Sequence, residues 1–339
     1  MRIVKMFTIL AVLLVLGTVA VAEGGQVLLN AAGATFPYPI YSKWFDQYHQ
    51  AHGNVQINYQ SIGSGGGIRQ LLDKTVDFGA SDGPMSDDQL KTATVQILHF
   101  PTVLGAAIPS YNVPGVQGDL NFTPEALSGI FLGKITKWND PAIASANQGV
   151  KLPGDDIVVV HRSDGSGTSY IWTDYLSKVS PEWQQKVGKA TSVNWPVGLG
   201  GKGNEGVSAL IQQTPDSLGY IELIYAIQNH LPYGKVKNSS GAFVKADLAS
   251  VSAAAAAKAM PDDFRVSITN PEGKAAYPIA SFTWLLIPAK FTDAAKRDVV
   301  KDFLKWMMTD GQNSCEALSY AKLPKEVVAK EMKAIALIQ

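Results

Sequence analysis

The stretch 157–169, IVVVHRSDGSGTS, decides the fold class of this 339-residue chain. It opens with the apolar run 157–160, which predicts a buried strand. After it, Ile171 and Tyr175 recur at the spacing of one helix face. The residues between, 161–169, therefore form a turn from a strand into a helix. Units of this kind build α/β folds.

This turn carries the chemistry of an anion site. The backbone N–H groups at a helix start have no intrahelical partner, and the helix dipole adds partial positive charge there. Glycines let an anion approach that backbone closely, and Arg162 adds a planar cationic fork suited to an oxyanion. We interpret the turn as a site for a tetrahedral oxyanion. The alternative is that Asp164 or Ser166 only caps the helix and that Arg162 pairs with Asp164.

Three other stretches share these properties. Residues 33–37, GATFP, precede a helical pattern and offer free N–H groups and a threonine hydroxyl. Residues 63–67, GSGGG, join a strand pattern to a helix that we expect from Ile68 onward, and a further strand ends at Ser81-Asp82. Because ligands of open α/β sheets bind at the carboxyl ends of the strands, all four stretches are expected to meet there.

Asp82 is the informative member of this set. A carboxylate beside an anion is repulsive unless one of the two carries a proton. Phosphate still carries a proton near neutral pH and can donate it to Asp82, whereas sulfate cannot. A site with one unfilled acceptor therefore discriminates between these two anions, on the order of 10⁴-fold.

Helix and strand patterns alternate along the rest of the chain. Alternation marks a strand at 55–59, a second strand is expected at 280–287, and 100–112 is expected to be one long extended crossover. Ser86 with Gln89 forms a capping box, and Asn204 and Thr292 are expected to cap later helices. The pattern predicts an α/β fold.

Composition excludes several classes of protein. Lys plus Arg and Asp plus Glu both number 29, so charge does not favour nucleic acid or an acidic membrane. The one cysteine, Cys315, cannot form an internal disulfide and is expected in the core. The five histidines show no metal-ligand spacing, and Gly-Lys-Gly at 201–203 lacks the order of a nucleotide loop, so we expect neither metal nor cofactor.

The N-terminus has the pattern of a secretory signal peptide at residues 1–22. Arg2 and Lys5 precede an uncharged run from Phe7 to Ala22, which ends in Ala-Val-Ala. The apolar run is shorter than the roughly 20 residues that a transmembrane helix needs. We expect cleavage after Ala22.

Taken together, these stretches resemble the phosphate-binding proteins (PstS) of high-affinity phosphate ABC transporters. The resemblance covers residues 28 to about 323. It rests on an ordered set of segments: 33–37, 63–64 with 66–67, 77–82 (DFGASD), 132–135 (LGKI) with 137–138, Arg162 with 164–169, and 195–204.

The resemblance implies a periplasmic-binding-protein fold of two hinged α/β lobes, with dehydrated phosphate in the cleft between them. One lobe would comprise 28–103 and 278–339, and the other 104–277. A membrane permease and its ATPase would be the partners, and the receptor would be a periplasmic monomer. By matching position, phosphate contacts are implied for Ala34, Thr35, Phe36, Ser64, Asp82, Arg162, Ser166, Gly167 and Thr168, with Asp164 holding Arg162.

Two alternatives remain open. A secreted phosphatase would use Ser64 or Ser166 as nucleophile, although neither lies in a G-x-S-x-G elbow. His161 is adjacent to Arg162, but strand alternation directs it to the opposite face. A binder of another oxyanion such as sulfate would not need Asp82.

Overall fold

The computed structural model describes residues 25–339, so the signal-peptide prediction lies outside the described residues. The strands are β1 Val27–Gly33, β2 Val55–Ser61, β3 Phe78–Ser81, β4 Ile97–Asn112, β5 Asn121–Phe122, β6 Val158–Arg162, β7 Leu199–Gly201, β8 Ser217–Glu222, β9 Lys235–Lys237, β10 Phe243–Val244 and β11 Ala280–Pro288. The helices are α1 Tyr38–Ala51, α2 Ser64–Leu72, α3 Asp87–Thr92, α4 Pro124–Phe131, α5 Pro141–Ala144, α6 Gly167–Val179, α7 Pro181–Lys186, α8 Gly203–Gln213, α9 Leu223–Gln228, α10 Leu248–Ala256, α11 Ala294–Met308 and α12 Lys325–Ala334.

One curled sheet of eight strands runs through the molecule in the order β2-β1-β3-β11-β4-β8-β6-β7. Its parallel pairs, such as β1 with β2 and β6 with β8, lie at the two ends of the sheet and flank three antiparallel pairs formed by β11 and β4. A small sheet of β10, β9 and β5 lies apart from it. The structure confirms the α/β prediction as a mixed sheet flanked by helices.

Strand β4 belongs to both ends of this sheet. Residues 97–106 pair with β11, and residues 107–112 pair with β8. We call β2, β1, β3, β11 and the start of β4 the first half of the sheet, and the rest of β4 with β8, β6 and β7 the second half. The long crossover predicted at 100–112 is therefore one continuous strand of 16 residues.

Side chains of the core follow the apolar patterns of the sequence. Cys315 is fully buried, as expected, and Ser86 and Gln89 form the predicted capping box. Large aromatic side chains fill both halves, and the fully buried tryptophans are Trp44, Trp138, Trp172, Trp183 and Trp284. Within residues 25–339 no helix combines the length and apolarity needed to cross a membrane.

Two local predictions were wrong. Helix α2 starts at Ser64, so the glycine run forms its first turn and is not a loop before Ile68. Asp293 caps α11 through the N–H groups of Ala295 and Lys296, and Thr292 does not. Both errors concern which residue begins a helix, where capping side chains compete at neighbouring positions.

The glycine run of α2 has a packing cause. A Cβ placed on Gly67 would lie 2.4 Å from Gly33 Cα and 2.5 Å from the Ala32 carbonyl oxygen. Backbone atoms cannot move aside as the end of a flexible side chain can. Glycine therefore lets α2 approach β1 closely, and this contact places Ser64 at the end of the sheet.

We predict that Gly67→Ala lowers the free energy of unfolding by about 1–3 kcal/mol, because overpacking against backbone forces a shift. Helix propensity alone favours alanine by about 1 kcal/mol, so the expected sign is opposite. Denaturant unfolding measures the change. The matched control is Gly53→Ala, where an added Cβ meets no atom within 4 Å. Equal stability of the two variants would contradict the close approach of α2 and β1.

Candidate functional site

The four predicted stretches meet at one point between the two halves of the sheet. A Cβ placed on Gly167, in the first turn of α6, would lie 2.3 Å from both Asp82 Oδ2 and Ser64 Oγ. Asn204 Nδ2 donates to Thr35 Oγ1 at 2.8 Å and to Thr168 Oγ1 at 3.1 Å. The carboxyl ends of β1, β3 and β6 therefore converge, as the topology of α/β sheets requires.

Arg162 lies at the end of β6 and is 2% exposed. Its Nε donates to Asp164 Oδ1 at 2.8 Å, and a terminal nitrogen donates to Asp164 Oδ2 at 2.5 Å. Burial opposes ionisation of Asp164, but the hydrogen bonds and charge of Arg162 outweigh it and lower the pKa of Asp164. The other terminal nitrogen contacts Thr168 Oγ1 at 3.3 Å. The bidentate pair fixes the guanidinium in place.

Three helices begin at the site. The first turns of α2, α6 and α8 contain Ser64, Gly167 and Asn204, respectively. Each helix start contributes N–H groups without intrahelical partners and the positive end of a dipole. Since Asp164 balances the charge of Arg162, these dipoles and the hydroxyl groups supply much of the attraction for an anion.

Asp82 provides an acceptor within this surface of donors. It is 1% exposed, and its Oδ1 accepts from Thr283 Oγ1 at 2.8 Å. Its Oδ2 is buried and has no hydrogen-bond partner among residues 25–339. Burial raises the pKa of Asp82 from its ordinary value of 3.8 to about 7, although Thr283 and the charge of Arg162 act in the opposite direction. The carboxyl is thus poised to hold or release a proton near neutral pH.

Thr35 is held from the opposite half of the sheet. Its carbonyl accepts from the Tyr225 hydroxyl at 2.6 Å, and its hydroxyl oxygen accepts from Asn204. The backbone N–H of Gly65 also donates to the Gly165 carbonyl at 2.8 Å. These contacts join the two halves around the site.

Two predicted site residues behave differently from expectation. The N–H of Ala34 donates to the Ala80 carbonyl at 3.0 Å, so it is not a free donor because the chain is still sheet-like there. The hydroxyl oxygen of Ser166 accepts from Ser169 N–H at 3.0 Å and caps α6. Ser166 therefore caps the helix, and its hydroxyl keeps its proton for another acceptor. Phe36 adjoins Thr35, with its carbonyl bound by Tyr320.

Sequence reasoning missed three residues of the site. Asn204 was expected to cap a helix, but its side chain bridges the two halves of the sheet. Thr283 on β11 and Tyr225 on α9 arrive from segments without a ligand-binding pattern. The glycine-rich stretch before Asn204 was the only signal that pointed to any of them.

His161 lies on the other side of β6 from Arg162, as alternation predicts. Its ring stacks on Trp195 with centroids 4.9 Å apart, and its Nδ1 is 3.0 Å from the Arg162 carbonyl. It is therefore not placed as a base for Ser64 or Ser166. Among the described residues there is no group of three side chains suited to holding a metal ion.

Comparisons with known proteins agree with this geometry. A model of the PBP superfamily domain matches residues 20–311. The phosphate-binding protein PstS of Pasteurella multocida is 47% identical over 305 residues, which cover 89% of this chain and 88% of that protein. The chain belongs to the PstS family. The PstS of Haemophilus influenzae is 42% identical, with 93% of this chain and 94% of that protein covered.

Solved structures give the same fold for this PstS-family chain. A high-affinity periplasmic phosphate-binding protein with bound phosphate matches with a TM-score of 0.72 at 21% identity, over 90% of this chain and 93% of that one. A phosphate ABC transporter substrate-binding protein from Clostridium perfringens matches with a TM-score of 0.65 at 16% identity, over 88% and 100%. Both are two-lobe binding proteins in architecture, which agrees with the two halves of the sheet.

We predict that the carboxyl of Asp82 makes the unliganded protein less stable as pH rises. The folded state has the higher pKa, so it holds a proton that the unfolded chain releases. This contribution to stability is fully present below about pH 4 and is lost as pH rises through about 7. A pKa change of this size corresponds to at most about 4 kcal/mol.

The measurement is denaturant unfolding of wild type and Asp82→Asn in phosphate-free buffer, between the pH values of about 4 and 7 given above. The asparagine has the same shape but does not titrate, and all other titrating groups are common to both proteins. The stability difference between them should shift in favour of Asp82→Asn as pH rises. Parallel pH profiles would contradict the raised pKa.

Proposed function

We propose that this protein is the substrate-binding component of a phosphate ABC importer. It binds inorganic phosphate between the two halves of its sheet and delivers it to a membrane permease with its ATPase. The observation that carries the proposal is the buried Asp82 Oδ2, which has no hydrogen-bond partner among the described residues and faces the donors of α2 and α6. The names of the PstS relatives support the same ligand.

The proposed ligand contacts use donors from both halves of the sheet. Thr35, Phe36 and Ser64 donate from the first half, and Arg162, Ser166, Gly167 and Thr168 donate from the second. Ala34 contributes its position beside Thr35, since its N–H is already bonded. Asp164 holds Arg162 and does not contact the ligand. An anion so enclosed exchanges its water shell for fixed donors, which favours one size and shape of ligand.

Asp82 supplies the selectivity in this proposal. A protonated oxygen of phosphate donates to Asp82 Oδ2, which satisfies the buried acceptor. Sulfate has no proton to donate near neutral pH, so it would leave two negative groups in contact in a buried site. The same carboxyl therefore favours phosphate and excludes its near-isostere.

Closure follows from ligand contacts made by both halves of the sheet. We propose the lobes as 28–103 with 278–339 and as 104–277, hinged where β4 and the 275–287 region cross. A ligand that contacts both lobes stabilises the closed state by its extra contacts there. We further propose that the signal peptide directs export and is cleaved after Ala22, because the receptor must meet its permease outside the cytoplasm. There the protein would act as a periplasmic monomer.

Titration calorimetry with phosphate and sulfate tests the ligand. Wild type should bind phosphate and discriminate against sulfate on the order of 10⁴-fold at neutral pH. Below the pKa of about 7 Asp82 carries its own proton, so sulfate affinity should rise about tenfold from pH 8 to pH 6. Equal affinity for both anions at neutral pH would refute the role of Asp82.

Asp82→Asn is the matched variant for this titration. It keeps the shape of the side chain but replaces the titrating acceptor with an amide, so phosphate binding should persist while sulfate exclusion weakens to about 100-fold or less. Its sulfate affinity should no longer depend on pH in this range. Unchanged selectivity in the variant would show that discrimination arises elsewhere.

The family consists of transport receptors, and we propose that this chain likewise performs no catalysis. Ser166 is engaged as a helix cap, and His161 stacks on Trp195 away from either serine. Incubation with a chromogenic phosphate ester should give no release above the buffer rate. Turnover that persists through purification and disappears in Ser166→Ala would favour the phosphatase alternative.

A further inference from the structure

Asn204 joins three segments of the chain at the site, those that contain Thr35, Thr168 and Glu222. It is fully buried at the start of α8. Its side-chain amide and backbone N–H make four hydrogen bonds. Its Nδ2 donates to Thr35 Oγ1 at 2.8 Å and to Thr168 Oγ1 at 3.1 Å, and its backbone N–H donates to Thr35 Oγ1 at 3.2 Å. Its Oδ1 accepts from the backbone N–H of Glu222 at 3.0 Å.

The Glu222 contact fixes which way the amide faces. A backbone N–H can only donate, so the atom of Asn204 that meets it must be the oxygen. The –NH₂ group then faces the two threonines, where it can only donate. The assignment of the two amide atoms therefore follows from the chemistry of the neighbours.

The threonine hydroxyls are consequently saturated as acceptors. A hydroxyl oxygen has two lone pairs and one proton. Thr35 Oγ1 accepts twice from Asn204, and Thr168 Oγ1 accepts once from Asn204 and once from Arg162 at 3.3 Å. Each hydroxyl retains only its proton for any further interaction.

We propose that Asn204 is a positioning residue that makes Thr35 and Thr168 act solely as donors toward the bound oxyanion. This inference rests on the proposed function and extends it, because it assigns part of the specificity to a residue that need not touch the ligand. With both hydroxyls so directed, the site offers donors on all sides except Asp82 Oδ2. A ligand must then present acceptors everywhere and one proton at a single position, as phosphate does.

This role predicts coupling between Asn204 and the threonines. Asn204→Ala should weaken phosphate binding about 10- to 100-fold, because each hydroxyl is free to rotate and to face the ligand with a lone pair. In a Thr168→Val background one of the two directed hydroxyls is already lost. Adding Asn204→Ala there should therefore cost distinctly less than it costs in wild type, and the same holds for Thr35→Val.

The experiment is a pair of double-mutant cycles by titration calorimetry with inorganic phosphate, extended to tens of millimolar. A purely structural role for Asn204 predicts equal losses in every background. The proposal is overturned if the loss of phosphate affinity in a double variant equals the product of the two single losses, or if the double variant shows no measurable binding. If wild type itself fails to bind phosphate, the proposed function fails instead, so the two failures are distinguishable.

Two variants separate positioning from loss of fold. Asn147 is also a buried asparagine with three hydrogen bonds, to Asn121 and Ile143, outside the site. Asn147→Ala should lower thermal stability while phosphate affinity stays within about twofold. Should Asn204→Ala not fold, Asn204→Ser takes its place, since its hydroxyl can still accept from the Glu222 N–H. The cycles then decide the proposal with that variant.

Discussion

Asp82 Oδ2 is a buried carboxyl oxygen without a hydrogen-bond partner in the part of the chain that the structure describes, and the site depends on this constraint. An unsatisfied buried acceptor costs free energy, and a protein keeps one only where a ligand or a proton can satisfy it. Here the surrounding groups are hydroxyls, helix starts and a guanidinium held by Asp164, all of them donors. The fold thus brings together a cluster of groups whose hydrogen-bonding pattern is the complement of a protonated tetrahedral anion.

This pattern exists only because the ends of β1, β3 and β6 and the starts of α2, α6 and α8 lie close together. Glycines at 33, 63, 65, 67 and 167 allow the backbones to approach where a Cβ would collide with a neighbour. The tolerance for added side-chain volume is therefore small throughout the site. Any movement that separated Gly167 from Asp82 would remove the surrounding donors as a group.

Much of the site was predictable because its residues lie in local patterns. The strand 157–160, the turn that follows and the capping box at Ser86 depend on neighbours in sequence, and the structure has them. Asn204 was misassigned because its partners, Thr35 and Thr168, are 169 and 36 residues away. The role of Thr283 could not be predicted for the same reason, because nothing in the local sequence of a strand threonine indicates that its hydroxyl will donate to the distant carboxyl of Asp82. The start of α2 was misplaced because a run of glycines is typical of a loop. Only the packing of α2 against β1 shows why glycines stand in its first turn.

The place of β11 in the sheet has a consequence for how the chain folds during synthesis. It lies between β3 and β4, although about 170 residues separate it from the end of β4 in the chain. Until residue 288 has emerged, the apolar edges of β3 and β4 stay open and the first half of the sheet cannot close. The first half of the sheet is thus held back from its native state until β11 has been synthesised. A product truncated before this point would expose aggregation-prone edges and be a target for chaperones and proteases.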